Sequence, residues 1–139
     1  MKKIIIILIS SLSFVATLCG QDNEKHPIDV RLDSCLNDSN SYTTMDMMLC
    51  YSAAEKEWNT ELDKYYQLLV DALPKQARSK LQKEQRLWLK FFKSDDAFSI
   101  TLYYELLEGT MWRIVAAQRS MNVVRSRALD LKEYYENFK

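Results

Sequence analysis

Only two glycines and two prolines punctuate the chain, and one of the two glycines, Gly20, closes an apolar leader. A β-rich fold needs tight turns at short intervals, and those turns draw on glycine. So little punctuation forces long, uninterrupted elements. Between the breaks, apolar residues recur at three- and four-residue steps among Leu, Ala, Glu, Lys, Gln and Arg, which favour helix. The expected fold class is all-α: a small antiparallel bundle of three to four helices held by one disulfide.

Thr43 or Thr44 can cap the first long helix, with Asp46 in its first turn. Its apolar stripe runs through Met47, Cys50, Tyr51, Ala54, Trp58, Leu62, Tyr65, Tyr66 and Leu69 to Leu73, where Pro74 stops it. Pro74 can open the second helix, from about Lys75. There Ala77, Leu81, Gln85, Trp88, Phe91 or Phe92, and Asp95 line one face, while Lys80, Lys83, Glu84, Arg86 and Lys90 are solvated. Ser94-Asp95-Asp96 either breaks this helix or lies within it. Residues 97–107 are rich in β-branched and aromatic side chains, and the flanks favour helix. Gly109 ends a helix and Thr110 can cap the next. The last stripe is Met111, Ile114 or Val115, Gln118, Met121, Val124, Ala128, Leu131 and Tyr135, with Arg113, Arg119, Arg125 and Arg127 on the solvent side. Trp58, Trp88 and Trp112 are expected in the core.

The start, Met1-Lys2-Lys3 followed by an apolar run, has the layout of a secretory signal peptide, expected over residues 1–20. The run is too short and too interrupted by serine to read as a spanning helix. Cleavage after Gly20 leaves Leu18 at a position that prefers a smaller residue. Cys19 offers the alternative of a lipidated cysteine, and membrane attachment follows only in that case. Residues 21–34 are polar, carry Pro27, and read as a flexible tether. A short helical turn over 30–36 brings in Cys35, and the helical domain is expected over 35–139. In an exported chain, periplasmic or secreted, Cys35 and Cys50 read as a disulfide. Redox pairs sit closer in sequence, and a zinc site needs more ligands than His26, the only histidine, can add.

Nineteen bases balance nineteen acids, and removal of Lys2 and Lys3 with the leader leaves 17 against 19. No basic tract is present to hold a phosphate backbone, so nucleic acid is not an expected partner. No glycine-rich phosphate loop exists. Asp95-Asp96 and the pair Glu105 and Glu108 read as capping or solvated acids rather than a glycosidase pair. No catalytic residue, cofactor or metal site is expected. The work of such a chain is contact with a protein partner, its oligomeric state left open.

Taken in order, Cys35, Thr44, Cys50, Trp58, Glu61-Leu62-Asp63-Lys64-Tyr65-Tyr66, Leu69, Leu81, Gln85, Trp88, Gly109-Thr110-Met111 and 125–131 (Arg-Ser-Arg-Ala-Leu-Asp-Leu) resemble the lysozyme inhibitor LprI-like N-terminal domain family of exported bacterial proteins. Members of that family often carry a second cysteine pair, absent here from 95–98 and 116–120, which fits loss of a whole disulfide. They also tend to show Arg-Asp where this chain has Phe92-Lys93. The resemblance implies a protein that binds and inhibits a lysozyme-like glycosidase, an enzyme with two cleft carboxylates and often a basic surface. The expected contact is the disulfide-held loop with Asp38, Tyr42 and Asp46, because a stapled loop loses less entropy on binding. The alternative is an envelope interaction or immunity-type module with a non-glycosidase partner. An exposed apolar patch around Tyr103, Tyr104, Leu106 and Leu107 would favour it.

Overall fold

The protein's computed structural model describes residues 25–39 and 43–139. The leader, Cys19 and Tyr42 lie outside the described residues. Four α-helices and one π-helical turn make up the body: α1 (Pro27–Leu36), α2 (Thr44–Ala72), α3 (Lys75–Ile100) with its π-helical continuation (Thr101–Leu106), and α4 (Met111–Phe138). No strand occurs among the described residues, as the scarcity of turn residues requires.

Helix α1 begins well inside the stretch read as a tether. Pro27 sits in its first turn, where the missing N–H costs nothing, and His26 Nδ1 accepts the Ile28 N–H at 3.3 Å. Ile28 and Leu32, one turn apart, are buried. The tether expectation is thus corrected from Pro27 onward: two apolar residues at i and i+4 are enough to dock a short helix once a larger surface receives it.

Thr43 caps α2 through a full capping box. Its Oγ1 accepts the Asp46 N–H at 3.1 Å, and Asp46 Oδ2 accepts the Thr43 N–H at 3.1 Å. The helix closes at Leu73, held extended by Pro74, and the Arg78 guanidinium donates back to the Leu73 carbonyl at 3.1 Å. Helix α3 runs straight through Ser94-Asp95-Asp96. It then widens: the Leu107 N–H donates to the Leu102 carbonyl five residues back, at 3.1 Å. Gly109, at φ +100°, ends this element in a region that other residues enter only with strain. Thr110 does not cap α4 with its side chain; its hydroxyl lies 3.3 Å from that of Thr44.

The Thr44–Thr110 contact and the facing rings of Tyr65 and Tyr135, 6.1 Å apart, show that α2 and α4 run parallel along their whole length. Between them Trp58, Leu69, Val124 and Leu131 are the most deeply buried large side chains. Each such side chain contributes about 1.5–3 kcal/mol by leaving water. Helix α3 returns antiparallel to both, and α1 lies antiparallel on α2 with His26 against the Trp58 ring at 4.4 Å. The expected bundle of successive antiparallel helices is therefore present, with α2 and α4 as its central pair. Helix α3 stands off that pair, leaving open grooves of about 540 Å³ towards α4 and about 410 Å³ towards α2. Trp88 lines both, and Phe92 stacks on it with ring centroids 5.4 Å apart. Of the two phenylalanines it is Phe92 that turns inward, while Phe91 is exposed.

Candidate functional site

The disulfide joins Cys35 at the end of α1 to Cys50 near the start of α2, with Cα atoms 5.8 Å apart. It clamps the end of α1 against the second turn of α2. Because α2 and α4 are parallel, their N-termini lie side by side at this end. The π-helical turn and Gly109 arrive there as well. The residues after the paired threonines, Met45 and Met111, are 61% and 64% exposed, and Leu49 and Leu106 are 60% and 68% exposed. Large apolar side chains this open, brought to one end of a small protein, make that end a candidate contact surface. Tyr104, 41% exposed, carries the Arg113 guanidinium over its ring at 5.6 Å.

Of the three residues expected at the contact, Asp38 is exposed just past α1, and its N–H reaches the Cys35 carbonyl at 3.4 Å. Asp46 stands within the capping box, where the Thr43 hydroxyl and N–H hold its carboxyl below the usual carboxylate range. It is therefore a fixed anion at any mildly acidic pH, as well as a cap. Tyr42 falls outside the described residues. The expected apolar patch is present in part: Tyr104 and Leu106 are exposed, whereas Tyr103 stacks on Trp112 at 5.9 Å and Leu107 is half-buried.

The arginines hold the surprise. Arg127, expected on the solvent face, is 4% exposed. Its guanidinium donates to both oxygens of Glu84, at 2.8 and 2.6 Å, and to Gln85 Oε1 at 3.0 and 2.8 Å, and it lies 6.0 Å from the Trp88 ring centre. Arg125, two residues earlier, grips the other flank: it donates to Asp29 of α1 at 2.6 Å and stands over Trp58 at 5.3 Å. Helix α4 thus ties α1 and α2 on one side and α3 on the other, each through an arginine laid over a tryptophan. The signal for Arg127 was in the spacing: it falls three residues after Val124 and four before Leu131, inside the stripe rather than opposite it. A long arginine stem can follow an apolar face while its head finds a carboxylate.

Among the described residues no group of three or more His, Cys, Asp or Glu could hold a metal. His26 is committed to the cap of α1 and to Trp58, and burial lowers its pKa. Asp95 pairs with Arg119 at 2.6 Å. This ion pair joins α3 to α4. No helix among the described residues is long and apolar enough to cross a membrane.

The described residues form a disulfide-locked, all-α scaffold with exposed apolar and acidic side chains at one end. The chain belongs to the lysozyme inhibitor LprI family, which matches residues 35–131. Its fold is also similar to the crystal structure of an uncharacterized protein from Burkholderia thailandensis, with 33% identity and a TM-score of 0.74 over 82% of this chain. This chain spans 55% of the length of that protein. A comparison with curated proteins gives no match.

Proposed function

We propose that this protein is exported, oxidised between Cys35 and Cys50, and acts without catalysis by binding and blocking a lysozyme-like cell-wall glycosidase. The observation that supports it is membership of the lysozyme inhibitor family across most of the chain. The disulfide-clamped end supplies the means. Exposed Met45, Leu49, Leu106 and Met111 offer apolar contact, and Asp38 and Asp46 face the basic surface common in such enzymes. The contact residues of this reading are Asp38, Tyr42 and Asp46, together with those apolar side chains. The decisive measurement is lysis of cell-wall suspensions by several purified lysozyme types with stoichiometric oxidised protein added. Loss of lysis for at least one type, weakened in an Asp38→Lys variant, is the expected outcome. Unchanged lysis for every type would remove this reading.

One observation favours a second reading. The exposed Tyr104 and Leu106 of the π-helical turn suit an apolar partner without a carboxylate cleft. Capture of an envelope protein that is not a glycosidase, lost on Leu106→Glu, would support an interaction or immunity-type role instead.

A further inference from the structure

Helix α3 has a second apolar line that the core does not use. Leu81, Gln85, Trp88 and Phe92 look towards α2 and α4. Leu87, Phe91, Ser94 and Phe98 form another row, within an arc of about 60° at 100° per residue. Leu87, Phe91 and Phe98 are 55%, 55% and 63% exposed. Steps of four, three and four residues are those of a seam that packs against another helix. Three large apolar side chains in one exposed row need a partner or a reason.

The sequence around the row says which partner. Positions 80, 87, 91, 94, 98 and 105 are spaced symmetrically about a point between residues 92 and 93. Two such helices laid antiparallel on a two-fold axis would set Leu87 against Phe98, apolar on apolar, and the large Phe91 against the small Ser94. At the rim the same operation sets Lys80 against Glu105, both exposed. The charge of the whole element follows the pattern. Residues 75–93 hold seven bases and one acid, and residues 94–108 hold four acids and no base. A helix that is basic in its first part and acidic in its last is complementary to itself only when reversed. Isologous two-fold pairing requires that self-complementarity.

We propose that the outer face of α3 is a homodimer interface, with two copies pairing antiparallel through Leu87, Phe91, Ser94 and Phe98. The apolar row 87–98 contains none of the residues assigned to the glycosidase contact, although its rim residue Glu105 neighbours Leu106 in the π-helical turn; self-association is read without any glycosidase, so the two readings fail separately. One helix from each copy gives an interface at the small end of the stable range, so the dimer is expected to dissociate in the micromolar region.

Sedimentation velocity on the exported, oxidised protein, from about 1 to about 500 μM, tests it by bracketing that region. A reversible monomer–dimer equilibrium is expected, abolished by Phe91→Glu and by Leu87→Glu with helical content unchanged by circular dichroism. Lys80→Glu or Glu105→Lys alone should weaken the dimer roughly tenfold, since by symmetry each creates two like-charged pairs. The combined Lys80→Glu/Glu105→Lys protein should recover the original affinity, a rescue that loss of folding cannot imitate. A monomer at every concentration means the row serves something other than a second copy and overturns the proposal. So does a dimer indifferent to Phe91→Glu, or a double variant no tighter than the single ones.

Discussion

Arg127 is the side chain on which the position of α3 turns. It is buried, yet its carboxylate partner Glu84 is half exposed, so removing the arginine lets Glu84 return to water while buried Gln85 loses its donor. Arg127→Met should therefore cost about 2–3 kcal/mol, less than breaking a fully buried pair, as read from urea unfolding. Arg127→Lys should recover only part, because an ammonium cannot reproduce the bidentate fork. His26 gives a pH signature of its own. Burial of its ring lowers the pKa, against a smaller opposing pull from Glu61, so the folded protein holds this proton less readily than the unfolded chain. Its contribution to stability is complete above the ordinary value of 6.5, falls as the pH drops through 6.5 towards the lowered value, and then levels. His26→Asn keeps a capping side chain without a titrating ring, and should flatten that part of the stability–pH curve relative to the natural protein. Neither role was legible at the level of residue type. An arginine inside an apolar stripe looks like decoration until its carboxylate is seen on another helix, and a histidine in a polar stretch looks solvated until Trp58 is placed beside it.

Among the elements, α2, α3 and α4 were readable because each is long enough for its stripe to repeat several times and because Thr43, Pro74 and Gly109 mark their ends. Helix α1 was not. Ten residues are below the length at which a helix persists alone, and its stability comes from what it docks on. That docking combines the disulfide, the Asp29–Arg125 pair and the Arg31–Glu57 pair. The Cys35→Ser/Cys50→Ser protein should lose about 3 kcal/mol on the chain-entropy account for a 15-residue separation. Amide exchange should place the loss: rates rise first over residues 27–36, while the middle of α2 and α4 stays protected. Equal loss of protection across all four helices would mean that α1 is part of one cooperative core. The π-helical turn escaped the sequence for another reason. Residues 101–106 bury none of their side chains, so no stripe records which turn they take.

At the scale of the molecule, the residues that identify the family are largely those that build the scaffold: the disulfide, the Thr44–Thr110 contact, and the two arginine–tryptophan brackets of α4. They made the fold legible and left the proposed contact surface almost unwritten, since exposed side chains such as Met45 and Met111 are not constrained by packing in the core. The two surfaces argued above lie on different parts of the same helix. The contact end adjoins the C-terminal end of α3, whereas the two-fold axis crosses α3 near its middle, about 20 Å away at 1.5 Å per residue. In an antiparallel dimer the two contact ends therefore point in opposite directions, separated by about 40 Å, wide enough for each to hold its own globular enzyme. Light scattering of the complex with an inhibited lysozyme should then report two copies of each protein at high concentration. Leu87→Glu should reduce this to one of each with the molar ratio for inhibition unchanged, because that residue touches neither the disulfide loop nor the π-helical turn. A changed ratio would show that the dimer face and the inhibitory face are coupled, and would place the enzyme against α3 itself.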